Sequence, residues 1–108
     1  MSKEYDKLIR DRIPEIIEAE GKRCEVEVLD DEEFTIYLEK KLKEEVDEFI
    51  ESGKIVELAD IYEVILKILE LEGVTIEEFE DMRKEKASER GKFEKQLKLK
   101  KVDEDDSS

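Results

Sequence analysis

The chain has 108 residues, half of them charged, 38% hydrophobic, with a formal charge of −14; that suffices for one compact domain but not for a thick monomeric core. The acidity excludes a non-specific nucleic-acid binder, which needs a basic surface, and favours cations as partners. A single cysteine, Cys24, excludes an internal disulfide framework and a cysteine-rich zinc site, and no apolar run approaches the length of a bilayer span.

The opening "MSKEYDKLIR" has no signal-sequence character, so the expectation is a soluble, cytoplasmic protein. Glu, Lys, Ile, Leu and Val dominate while His and Trp are absent, the bias of proteins from hot environments. With so few apolar residues, Lys and Glu stems and self-association are expected to complete the core.

In chain order, "YDKLIRDRIPEIIEAEGKR" reads as two short helical pieces. Pro14 suits a first helical turn, so the better piece starts near Ile13 and stops at Gly21, with Asp11 offering a cap. "RCEVEVLD" alternates, with Cys24, Val26 and Val28 on one side and Glu25 and Glu27 on the other, which predicts a short strand over 23–29. Acids then open a helix over 31–51, and Gly53 separates it from a second helix over 54–72 that Gly73 closes. Thr75 and Glu78 have capping-box spacing for a helix ending at Gly91. "KFEKQLKLK" places Phe93, Lys95, Leu97 and Leu99 on one side and predicts a second strand paired with 23–29, a helical extension being the competing reading. The domain is expected to span 1–100, and 101–108 is a polar, acidic tail without fixed structure.

The two central helices place acids where apolar residues are needed. With Glu45 at 0° on a wheel of 100° per residue, Phe34, Leu38, Leu42, Phe49 and Val46 fall at about −20°, 20°, 60°, 40° and 100°. Glu45 lies inside the apolar arc, Glu48 at its margin near about −60°, and Glu44 on the polar side near about −100°. With Glu57 at 0°, Ile61, Ile65, Ile68, Val64 and Leu71 fall at about 40°, 80°, 20°, −20° and −40°, and Asp60 at about −60°. About a turn centred on Ser52–Gly53, an antiparallel hairpin sets Glu48 opposite Glu57 and Glu45 opposite Asp60, one level roughly 4.5 Å beyond the other.

Acids crowded in this way demand positive charge. Without histidine the donors are all oxygen, which selects Mg²⁺, Mn²⁺ or Ca²⁺. The bland alternative is ion pairing to Lys40, Lys41, Lys54 or a partner chain.

"EEVDE" (Glu44 to Glu48) followed by "ELAD" (Glu57 to Asp60) resembles the EExxE…ExxD signature of the MazG-like all-α nucleoside triphosphate pyrophosphohydrolases, a superfamily that includes phosphoribosyl-ATP pyrophosphohydrolase. "YDKLIRDRIPEIIEAEGK" and "ERGKFEKQLKL" resemble the opening and closing segments of its phosphoribosyl-ATP pyrophosphohydrolase-like branch, with Lys92 where a second glycine is often found. The resemblance implies a mainly α bundle of about four helices completed by dimerisation or higher homo-oligomerisation, to which the strand pair would be a minor addition. It implies Mg²⁺-dependent cleavage of a nucleoside triphosphate between its α- and β-phosphates, with Mn²⁺ as a substitute ion. Carried onto this chain, the metal ligands are Glu45, Glu48, Glu57 and Asp60, and the catalytic acids are Glu44, Glu45 and Glu48. Glu44 is expected to orient a water or bridge to a second ion. Lys7, Arg10, Arg12, Arg90 and Lys92 are the candidates for phosphate charge, and Tyr37 and Tyr62 for stacking on a base. The competing functions are phosphoribosyl-ATP hydrolysis and a non-catalytic helical interaction module.

Overall fold

The structure, a computed structural model, describes residues 2–104. It divides into two compact units, Met1–Val74 and Thr75–Ser108.

In the first unit, α1 (Ile13–Ala19), α2 (Asp31–Ser52) and α3 (Val56–Leu71) follow an N-terminal segment without regular structure. α2 starts because the Asp30 side chain accepts a hydrogen bond from the Glu33 amide at 2.8 Å, with Asp31, Glu32 and Glu33 in the first turn where the helix dipole favours negative charge. It stops at Gly53, whose φ of 66° lets its amide reach the Phe49 carbonyl at 2.7 Å. Three residues later α3 begins, and the two helices pack on each other as a hairpin. The contact is lean: Leu38 and Val64 are the buried apolar residues, at 3% and 8% exposure, while Phe34, Leu42, Val46, Phe49, Ile61 and Ile65 are half-buried around them. Leu71, placed on the packing arc by the wheel, is exposed at the end of α3.

The second unit holds α4 (Ile76–Arg90). Its capping box is fully formed: Thr75 Oγ1 accepts from the Glu78 amide at 3.0 Å, and Glu78 accepts from the Thr75 amide at 3.4 Å. Residues 91–104 have no helix or strand.

Among the described residues the all-α expectation with about four helices therefore holds, and the strand pair does not. Residues 23–29 are irregular and mostly exposed, and 92–100 are broken by a turn in which Gln96 takes a φ of 52° and donates to the Phe93 carbonyl at 3.3 Å. Two lone strands are marginal in water, and alternation alone cannot supply the missing face. The first of the two N-terminal helical pieces is also absent, because the side chains of Asp6, Lys7 and Arg10 bind α2 and α3 and the segment is too short to hold a helix unaided. α1 has Arg12 rather than Asp11 at its N-cap, with no side chain capping it. Among the described residues no helix is long and apolar enough to cross a membrane. Of the expected acidic tail, 101–104 are exposed and irregular, and 105–108 lie outside the described residues.

Candidate metal centre

The site is built on the facing sides of α2 and α3. Glu45 is the third buried side chain of the hairpin, at 7% exposure, level with the residues that form its core. Around it the helices bring together two overlapping triads, Glu44/Glu45/Glu48 and Glu45/Glu57/Asp60. Within each triad every residue offers a carboxylate oxygen within 4.8 Å of the others. Glu45 belongs to both, so it is the hinge of the arrangement.

Three cations reach these acids. The Lys41 ammonium lies 3.2 Å from Glu45 and 3.5 Å from Glu44. Lys7 comes to 3.7 Å of Glu44, and Arg10 to 2.7 Å of Asp60. Glu48 and Glu57 have no Lys or Arg nitrogen within 4.0 Å among the described residues. The cluster thus carries five carboxylates against three cations, a deficit of two charges.

Glu48 registers that deficit. Its carboxyl is held above the usual carboxylate range, first by a hydrogen bond shared with Glu45, then by lost solvation and by the charges of Glu45, Glu57 and Glu44. Lacking a cation, it retains a proton more tightly.

The donor set fits a hard divalent ion. All donors are carboxylate oxygens, and two added charges would balance the cluster. Oxygens on opposite sides of Ca²⁺ lie about 5 Å apart and of Mg²⁺ about 4 Å, so either triad can close on such an ion with little movement.

The wheel places Glu45 and Glu57 inside the packing arcs and Asp60 at a margin; Glu45 is buried, and Glu57 and Asp60 are half-buried. Glu44, set on the polar side, is half-buried because Lys41 and Lys7 draw it inward, and Glu48, set at the margin, is exposed. Of the basic candidates, Lys7 and Arg10 join the cluster, while Arg12 is exposed at the start of α1. Arg90 and Lys92 belong to the second unit, where Arg90 is in the last turn of α4 and both are exposed. Tyr37 is committed to Asp6, donating its hydroxyl to the carboxylate at 2.5 Å, and Tyr62 is half exposed on α3.

Lys41 is the member that sequence reasoning undervalued. Its spacing of three and four residues to Glu44 and Glu45 was a readable signal for an ion pair, although not for one this well shielded. The Asp6–Tyr37 bond spans 31 residues and has no local signature.

Compared with known proteins, the chain matches no family model, no curated protein and no solved structure.

Proposed function

We propose that the chain is a Mg²⁺-dependent nucleoside triphosphate pyrophosphohydrolase of the MazG-like class, converting a ribo- or deoxyribonucleoside triphosphate and water into the monophosphate and pyrophosphate, in the service of nucleotide-pool sanitation. One observation carries the reading: the carboxylates of four acids on two helices gather around that of buried Glu45, and two of the five have no cation beside them among the described residues.

Glu45, Glu48, Glu57 and Asp60 would hold the ion, which when bound neutralises phosphate oxygens and acidifies a coordinated water. Glu44 and Glu48 belong to the triad that shares Glu45, and in this reading they would orient that water and take up its proton. Lys7 and Arg10 stand at the rim on partners they can exchange for phosphate oxygens. Catalysis in this scheme is positioning and charge stabilisation, without a histidine base.

Homo-oligomerisation belongs to the same proposal. Ile50 and Ile55, flanking the hairpin turn, are 74% and 75% exposed, and Val56, Leu58 and Tyr62 continue the uncovered apolar surface along α3. Sedimentation equilibrium giving a monomer would remove this part.

The test is product analysis by ion-exchange chromatography, with a panel of nucleoside triphosphates and phosphoribosyl-ATP, in Mg²⁺ and in EDTA, beside a Glu48→Gln control. Monophosphate plus pyrophosphate that needs Mg²⁺ and is lost in the control supports the proposal. Diphosphate plus orthophosphate refutes it. Turnover of phosphoribosyl-ATP alone would move the role to biosynthesis.

A second reading has its own support. The pairs made by Lys7, Lys41 and Arg10 already compensate three acids, as expected of an acidic interaction module. That reading expects no effect of Mg²⁺ on stability or nucleotide affinity.

A further inference from the structure

Lys41 differs from the other cations of the cluster. Its side chain is 15% exposed and that of its partner Glu45 9%, whereas Lys7 and Arg10 are about half open to solvent. A shielded pair is weakly screened by salt and strongly felt by any further charge nearby. Its spacing on α2, three residues before Glu44 and four before Glu45, directs the ammonium onto both carboxylates. Glu45 is common to both triads, so an ion entering either one must draw on the carboxylate that Lys41 already occupies.

We propose that Lys41 is the site's resident counter-ion, which compensates Glu45 when no divalent ion is bound and competes with that ion for Glu45 when one arrives, so that Lys41 sets the metal affinity. The inference rests on the metal reading above. It makes metal occupancy an exchange of one positive charge for another at Glu45. The buried acid is never left alone, and the ion binds less tightly than five carboxylates would otherwise dictate. Loss of the ammonium would leave three acids without a cation instead of two, a stronger trap for the ion and a less stable metal-free fold.

The experiment is calorimetric titration of the full chain with Mn²⁺ and with Mg²⁺ alone, without nucleotide, together with melting temperatures in EDTA. Lys41→Met preserves the apolar stem, Lys41→Gln is a second neutral variant in case the first folds poorly, and Lys41→Arg keeps the charge. Both neutral variants should bind the ion at least tenfold more tightly and melt lower in EDTA, and the arginine variant should stay near wild type. In a Glu45→Gln background the gain from Lys41→Met should vanish. Wild-type binding that the neutral variants leave unchanged or weaken overturns the role of Lys41 while the metal site stands. Absence of binding in wild type and variants alike overturns the metal site and this inference with it.

Discussion

The Arg10 guanidinium donates to the Asp60 carboxylate at 2.7 Å across fifty residues of sequence, fastening the N-terminal segment to α3 at the edge of the acid cluster. Both side chains are partly exposed, so the pair itself contributes at most about 1 kcal/mol to folding. Under the proposed pyrophosphohydrolase function its value is larger, because Arg10 would exchange Asp60 for a phosphate. A charge-assisted hydrogen bond of about 1.5–3 kcal/mol corresponds to roughly tenfold to a hundredfold in affinity. Arg10→Ala should therefore leave urea unfolding nearly unchanged while raising KM for Mg²⁺–triphosphate roughly tenfold or more. A large stability loss with an unchanged KM would make Arg10 a structural tie only.

The raised pKa of Glu48 has a pH signature. Glu44 and Glu45 on α2 and Glu57 on α3 all face it and raise its pKa above the ordinary 4.5. The folded chain therefore holds the Glu48 proton more tightly than the unfolded chain does. The stability it contributes is full below about 4.5 and is lost as pH rises through the higher folded value. In EDTA, Glu48→Gln should abolish this part of the fall in melting temperature with rising pH. With a divalent ion present the trend should reverse, because the ion needs the deprotonated carboxylate. Identical pH curves for wild type and variant in EDTA would mean that Glu48 shares no proton with its neighbours.

Much of this site was legible before the structure, because it lies on two regular helices. A period of 3.6 and a symmetric turn suffice to rotate Glu45 inward and to bring it to Asp60, although Glu57, expected opposite Glu48, joins that same group, and the helix ends follow from Gly53 and the Thr75–Glu78 box. What could not be read lies where no period operates. The Tyr5–Arg12 stretch has a helical composition, yet the side chains of Asp6, Lys7 and Arg10 are fixed by partners 31 to 50 residues away. Glu44 shows the same limit on a smaller scale: the wheel fixes where its Cα points, and two lysines decide where its carboxylate goes. The strands failed for a related reason, since alternation reports a pattern of faces and contains no information on a pairing partner.

Gly53 sets the register of the two helices, and its role is purely conformational. A Cβ built there meets nothing within 4 Å, yet its φ of 66° is a left-handed conformation that costs other residues about 1–2 kcal/mol. Gly53→Ala should lower unfolding stability by about 1 kcal/mol. Gly53→Asn should recover part of the loss, as asparagine tolerates this region better. An alanine variant as stable as wild type in urea titration would show that the turn is free to adopt another conformation.

Leu38 tests how much of the fold depends on the hairpin. It is the most deeply buried apolar side chain, and its removal leaves Val64 as the other buried anchor of a lean interface. Leu38→Ala should cost about 2–5 kcal/mol, a large share of the stability expected for so small a unit. Because the same packing brings Glu45 together with Glu57 and Asp60, the metal binding proposed above should be lost with the structure. A variant losing less than 1 kcal/mol by urea unfolding, roughly the effect of a surface change, would place the core elsewhere.

Tyr37 closes the argument for the N-terminal segment. Its hydroxyl donates to Asp6, one residue before Lys7 and four before Arg10, so it fixes the point from which both cations reach the acids. The same bond raises the phenol's pKa above 10.0, chiefly because Asp6 accepts a hydrogen bond from the protonated hydroxyl and secondly because its environment is partly desolvated. The stability associated with that proton is full below about 10 and is lost as pH rises through the folded value, so ultraviolet titration should find Tyr37 ionising late. Tyr37→Phe keeps the ring and removes the bond. Hydrogen exchange at the amides of residues 6–12 should then accelerate, with KM rising and kcat nearly unchanged, since the carboxylates themselves are untouched. Asp6→Ala should reproduce the effect, and the double variant should add little to either single one. Additive losses, or unchanged exchange in residues 6–12, would show that Lys7 and Arg10 hold the segment without the tyrosine.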